Sequence, residues 1–288
     1  MKGIVLCFFV FLNFAMVQLF RKNEAQGQST TRGGVSGKQK AKPAPLLENL
    51  IGEGERKPIE LEPEYDCSSE SMELQKPFPV TVGSGEGVVS MSVEIIVKEN
   101  CRVQLKKPEK ASTKQTILLS KSVPGKGLPN DQYKAVFLRF VEHSNTFMFL
   151  PAIQAIWFFT DSLGGCDIFV ATDKNSNTLV IHSNTNNVFE QQGELFSLQM
   201  KGEAADKIIQ SKAPGYQLKA RVYHALTQSD AGKYLQKYVE EHPKLEAKSL
   251  QSYDVEKSQS TYLFFGYYDV VWQFYLKPQN GGAATRIL

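Results

Sequence analysis

From about Pro77 to Leu276 the chain is a succession of short runs dense in Val, Ile, Phe, Tyr and Thr, most of them closed by Gly, Pro, Asn or Asp. No other feature restricts the fold so strongly. Such runs are strand-length and suited to a pleated, half-buried surface. Strands are expected near Val88–Val97, Arg102–Leu105, Gln115–Ser120, Ala135–Val141, Phe147–Leu150, Ile168–Ala171 and Leu179–Ser183. More are expected near Leu195–Met200, Gln217–Ala225, Tyr262–Tyr268 and Val270–Leu276. Two stretches depart from the pattern. Ser229-Asp230 is a helix N-cap signal, and Ala231, Tyr234, Leu235, Tyr238 and Val239 recur at helical spacing until His242-Pro243. Ala152–Phe159 is expected as a second, shorter helix. The fold class that follows is α/β, a β-sandwich with flanking helices, over residues 76–280. Residues 281–288, GGAATRIL, lack periodicity and are expected as a flexible tail.

The N-terminal quarter is different in kind. Met1-Lys2 precedes the apolar run GIVLCFFVFLNFAMVQLF, and residues 1–25 are expected to be a signal peptide or, alternatively, an anchor held in a membrane by residues 3–20. The protein is therefore expected to be secreted, meeting a membrane only through this segment. Residues 26–75 are rich in Gly, Ser, Gln, Lys and Pro and are expected to be a disordered tether. Within them LLENLI could form a short helical turn. The formal net charge is only +3, too even a balance to argue for nucleic acid. The basic stretch Arg102 to Lys121 reads as a solvated edge strand guarded by lysines, with steering toward an acidic partner as the alternative. Gly83-Ser84-Gly85-Glu86-Gly87 has a phosphate-loop composition, but a strand follows it where a phosphate site needs a helix, so it reads as a turn or bulge. The histidines, His143, His182, His224 and His242, lie far apart and lack metal-ligand spacing. Neither metal nor cofactor is expected.

Among the 4 cysteines, Cys7 belongs to the export segment. Cys67 and Cys101 are a candidate disulfide in an oxidising compartment, although their spacing does not require one. Cys166 is then left as an unpaired thiol. It stands in WFFTDSLGGCDIFVATDKNSNTLVIHSN. Leu163-Gly164-Gly165-Cys166 is a tight turn into the strand Ile168–Ala171, the residues from Asp173 to Asn177 form a second turn, and Leu179 to His182 return, making a β-hairpin. If that hairpin turn centres on Lys174, Cys166 faces His182. If it centres on Asn175, Cys166 faces Asn184 and lies diagonal to His182. Both positions are even, so in either register the two side chains share a face, roughly 5 Å or 7 Å apart at Cβ.

An imidazole beside a thiol stabilises the thiolate. Gly164 and Gly165 leave room for substrate and aim backbone N–H groups at a developing oxyanion. The imidazole needs a third group to hold it, for which Thr160, Ser162 and backbone carbonyls are candidates. The competing reading is a core cysteine and a structural histidine in a non-enzymatic secreted β-sandwich whose aromatic C-terminal part, YLFFGYYDVVWQFYL, binds a partner.

The segment from Thr160 to His182 resembles the LSGC motif of bacterial glutamine deamidases: the cytotoxic necrotizing factor catalytic domains, the Burkholderia lethal factor and the chemoreceptor deamidase CheD. Leu163, Gly165 and Cys166 match, Gly164 stands where the toxins have Ser, His182 follows on the hairpin, and Thr160 precedes the cysteine as in CheD and the lethal factor. The resemblance covers only this stretch. It implies an α/β sandwich and a hydrolase in which the Cys166 thiolate attacks a glutamine carboxamide of a protein substrate. It further implies that His182 moves the protons, that Thr160 orients His182, and that a thioester is hydrolysed to leave glutamate. The toxin members act on host regulatory proteins such as small GTPases or a translation helicase. An exported chain with a flexible tether fits the toxin or effector members better than the chemotaxis one, so a host small GTPase or translation factor is the expected protein substrate, and the chain is expected to be a monomer. Amidase, protease or transglutaminase chemistry on the same dyad is the alternative.

Overall fold

The computed structural model describes residues 46, 50–51, 58–63, 78–82, 85–91, 101–106, 115–121, 128–129, 132–141, 144–184, 193–225 and 230–288. The chain divides into Met1–Pro43 and a unit Ala44–Leu288. The expected export segment, Cys7, Cys67, Ser229 and His143 lie outside the described residues.

Strands dominate the unit. They are β1 (Ile59–Pro63), β2 (Phe78–Val82), β3 (Gly85–Met91), β4 (Cys101–Lys106), β5 (Gln115–Lys121), β6 (Gln132–Leu138), β7 (Ser144–Leu150) and β8 (Ile156–Thr160). They continue as β9 (Asp167–Thr172), β10 (Thr178–Asn184), β11 (Gln217–His224), β12 (Leu250–Tyr253), β13 (Tyr262–Tyr268), β14 (Trp272–Pro278) and β15 (Thr285–Arg286). Helices among the described residues include α1 (Glu194–Lys212), α2 (Asp230–Glu241) and the single turn α3 (Val255–Ser258). One sheet has the order β1-β5-β4-β6-β8-β13-β14-β15 and the other β12-β11-β9-β10-β7-β3-β2.

The two sheets pack face to face. Val136, Leu138, Ile156, Phe158, Phe264, Phe274 and Leu276 of the first meet Met148, Leu150, Ile168, Val170, Val180, Ala220 and Val222 of the second in one buried cluster. Alternation along each strand sends the intervening residues outward. Phe147, Phe169, Ala171, Leu179 and Ile181 pack under α1 and Tyr238 of α2. Trp157, Phe159, Phe265 and Tyr275 line the outer face of the first sheet, with Leu46 and Leu50 against them. Strands buried on both faces read as continuous apolar runs, and all five residues of β8, IWFFT, are buried.

Several sequence expectations are corrected. Ala152–Phe159 is not a helix: Ala155 has φ 61, which ends any helical path there, and β8 begins at the next residue. Leu195–Met200 is not a strand but the start of the 19-residue α1, whose buried residues Leu198, Lys201, Ala204, Ala205 and Ile208 recur at helical spacing. The tail is not free. Ile287 N–H donates to Phe274 O at 2.8 Å, β15 pairs with β14, and the Ile287 side chain is buried in the inter-sheet core. The tether expectation fails at two places, because Leu46, Leu50 and Ile59 cover an apolar face that would otherwise meet water. Leu46, Leu50 and Ile51 are helical. The basic stretch is not at a sheet edge, since β5 lies between β4 and β1. Of the expected turn or bulge at Gly83 to Gly87, Gly83 and Ser84 lie outside the described residues, and Gly85 to Gly87 open β3, antiparallel to β2 with Val82 opposite Gly85.

Candidate functional site

The hairpin of β9 and β10 carries the thiol and the imidazole. Thr178 pairs with Thr172, His182 with Ile168 and Ser183 with Asp167, so the turn centres on Asn175. That turn is built by Asp173, whose Oδ1 accepts from the N–H groups of Asn175 and Asn177, each at 2.8 Å. An aspartate capping its own turn in this way sets the register. Cys166 sits one residue before β9, diagonal to His182, on the face that Ile168 and Val180 turn toward the first sheet. Cys166 is a free thiol.

Thr160 reaches His182 across the gap between the sheets. Its Oγ1 lies 2.6 Å from Leu138 O and 2.6 Å from His182 Nδ1. A carbonyl only accepts, so the single hydroxyl proton goes to Leu138 O, and the hydroxyl oxygen must accept from His182 Nδ1–H. In the neutral ring the lone pair is therefore on Nε2. That atom is buried and has no hydrogen-bond partner among the described residues. Ser162, the other side-chain candidate for the orienting role, is exposed. The Phe140 ring lies 6.1 Å from the imidazole, and Phe140 is 39% exposed while His182 is 1% exposed.

Burial pushes the His182 imidazolium down to about 3, with the Lys201 charge acting the same way. Burial pushes the Cys166 thiol up to about 11; Lys201 and the Gly164 N–H oppose this, while Asp167 and Asp161 add to it. The expectation of a resting thiolate held by the imidazole is thus corrected. Desolvation disfavours the charged form of both groups, and Cys166 Sγ makes no hydrogen bond to His182 Nε2. Asp161, next to Thr160, is also pushed up by burial, to about 6, although the Phe140 N–H donates to its Oδ2 at 2.7 Å.

The turn before the cysteine is held from three sides. Gly165 has φ 140, a conformation that L residues rarely adopt. Its N–H donates to the Tyr253 hydroxyl at 2.9 Å, and that hydroxyl donates to Cys166 O at 2.7 Å. Its carbonyl accepts from Lys201 Nζ at 2.6 Å. The Gly165 N–H is therefore occupied, which corrects its expected use for an oxyanion; the Gly164 N–H is the one aimed at the sulfur. Gly164 is less constrained, since a Cβ there would meet only Thr261 Cγ2 at an ordinary 3.7 Å.

Asp167, Lys201, Arg221 and Tyr253 were not foreseen from the sequence. Asp167 follows the cysteine and points to the helix side of the sheet. Its Oδ2 accepts from Arg221 Nη2 at 2.8 Å and Nε at 3.1 Å, and its Oδ1 lies 3.4 Å from Lys201 Nζ. Arg221 also donates to Leu198 O at 2.7 Å and stacks on Phe169 and Tyr238. The signal was present: Lys201 and Arg221 each interrupt an otherwise apolar buried stripe. Of the other histidines, His224 packs against Tyr253 with ring centroids 5.5 Å apart, and His242 pairs with Asp206 at 2.9 Å. Neither takes the place of His182 at Thr160. Cys101 opens β4, opposite Ala135 and Lys121; its expected partner Cys67 lies outside the described residues.

No protein-family model matches the chain, and a search of curated proteins finds no match.

Proposed function

We propose that the unit is a protein-glutamine deamidase, with Cys166 as nucleophile, His182 as general base and acid, and Thr160 as the group that orients it. The observation that carries this reading is the Thr160–His182 hydrogen bond. It leaves the imidazole lone pair on Nε2, in a residue that shares its sheet face with Cys166. A structural histidine in an apolar core would be expected to have both nitrogens satisfied. Here one is satisfied and the other is open.

The chemistry runs in two halves. As Sγ attacks the carboxamide carbon, the thiol proton passes to His182 Nε2 and the C=O electrons collect on oxygen. Collapse of this oxyanion breaks the C–N bond, and Nε2–H protonates the departing nitrogen to ammonia. Water then attacks the thioester, Nε2 accepts its proton, and the C–S bond breaks as sulfur is reprotonated. Glutamine and water become glutamate and ammonia. Resolution of the thioester by water gives deamidation, and resolution by an amine would give transglutamination. The family-like sandwich, an exported or membrane-anchored chain, and a host GTPase or translation factor as target belong to the same proposal.

The test is mass spectrometry of host proteins incubated with the chain. The expected result is a gain of about one dalton at a glutamine, lost in Cys166→Ser and in His182→Ala. Activity persisting in Cys166→Ser would refute the assignment.

A further inference from the structure

The charged cluster behind Cys166 has an unbalanced sum. Lys201, Arg221 and Asp167 are all buried, 3%, 0% and 1% exposed, and they bring two cations to one carboxylate. Arg221 takes Oδ2 through two donors, and Lys201 reaches only the other oxygen, at 3.4 Å. The closest partner of Lys201 is instead a carbonyl, Gly165 O at 2.6 Å, in the residue before the cysteine. A buried cation held by a neutral dipole is costly to keep. Its charge is available to an anion that forms nearby for only part of a reaction cycle. Asp167 and Gly165 flank Cys166 on either side, so the ammonium is anchored at the peptide that presents the thiol.

We propose that Lys201 is the electrostatic positioning residue of the site: its ammonium holds the Gly165 carbonyl and stabilises the negative charge that develops at Cys166. This rests on Cys166 being the nucleophile, and it adds a residue that no resemblance to the LSGC motif supplies. In the step concerned the S–H bond breaks, the electron pair stays on sulfur and the proton goes to His182 Nε2. Lys201 is the largest influence favouring the ionised thiol, ahead of the Gly164 N–H. The same charge disfavours the His182 imidazolium, which makes that ring a stronger acid toward departing ammonia. No group on α1 other than Lys201 bears on both residues; the opposing charges are Asp167 of β9 and Asp161 beside Thr160.

The experiment is the rate of Cys166 carbamidomethylation by iodoacetamide in the full chain, read on the Cys166 peptide by mass spectrometry between pH 7 and pH 9. In that range the rate follows the thiolate fraction. Lys201→Gln keeps an N–H donor for Gly165 O and removes the charge. It should slow alkylation about tenfold at every pH, the effect of a shift of about one unit from a lost neighbouring charge. Lys201→Arg keeps the charge and should alkylate within about threefold of the wild-type rate. A folded Lys201→Gln that alkylates like wild type overturns the proposal. If that variant does not fold, a folded Lys201→Arg slowed tenfold overturns it. Deamidation surviving in Cys166→Ser would instead sink the functional reading and leave these alkylation rates standing.

Discussion

Replacing Thr160 by valine removes one oxygen and keeps the shape of the side chain. Two hydrogen bonds of 2.6 Å go with it, and His182 Nδ1–H is left buried without an acceptor. An unsatisfied buried donor costs about 1–3 kcal/mol, so the melting temperature should fall by about 2–12 °C for a domain of this size. The same free energy is what holds the proton on Nδ1. Without it the ring is free to move the proton to Nε2, where it cannot act as a base. At 1.4 kcal/mol per factor of ten, the ratio of the Nδ1–H to the Nε2–H tautomer falls roughly 5- to 150-fold, which takes the competent form from nearly all rings to a minority. We expect kcat for deamidation to drop several-fold with KM little changed, because kcat follows the competent fraction and Thr160 is fully buried and does not meet substrate. Ammonia release reads the rate, and the imidazole ¹⁵N shifts of His182 report which nitrogen is protonated. Thr160→Ser should restore both. A Thr160→Val protein that keeps kcat and still shows Nδ1 protonated would refute the tautomer reasoning.

Two further outcomes follow from the same geometry. Gly165→Ala places a Cβ at φ 140 and should destabilise the unit by about 1–3 kcal/mol and disable the turn, whereas Gly164→Ser should change stability by no more than about 0.5 kcal/mol and keep activity. Denaturant unfolding of the pair tests this, and the opposite ranking would defeat it. Folded His182 titrates near 3 against an ordinary 6.5, so the unfolded chain binds the extra proton between those values. That contribution to stability is present above about 6.5 and is lost as pH falls toward 3. Asp161 is raised from 3.8 to about 6, so there the folded chain binds the extra proton, and its contribution is present below 3.8 and lost as pH rises to 6. The two slopes oppose each other between 3.8 and 6. Asp161→Asn should remove one of them, adding a fall in stability of up to about 1.4 kcal/mol for each unit of acidification, seen in unfolding curves from pH 6 to pH 4. An unchanged pH profile in this variant would count against the two assignments.

Periodicity by itself determined the strand-rich character, the hairpin from Cys166 to His182, the helix at Asp230–Glu241 and the fact that two even-numbered side chains must share a face. These are local properties, because side-chain direction along a strand follows from the pleat. Thr160 was legible as a candidate, but its contact was not: it joins β8 of one sheet to β10 of the other. Which register the hairpin adopts was decided by Asp173 capping a turn centred on Asn175. Leu195–Met200 has the short apolar look of a strand, and only packing under Phe169 and Ile181 selects the helical alternative for the longer segment. Ile287 and Leu46 carry no period at all, yet both are buried, because the sheets they cover are apolar. The buried charges depend most on tertiary structure. Asp167, Lys201 and Arg221 are far apart in the chain, and their pairing exists only once β9, α1 and β11 come together and exclude water, which is also what leaves Cys166 and His182 neutral.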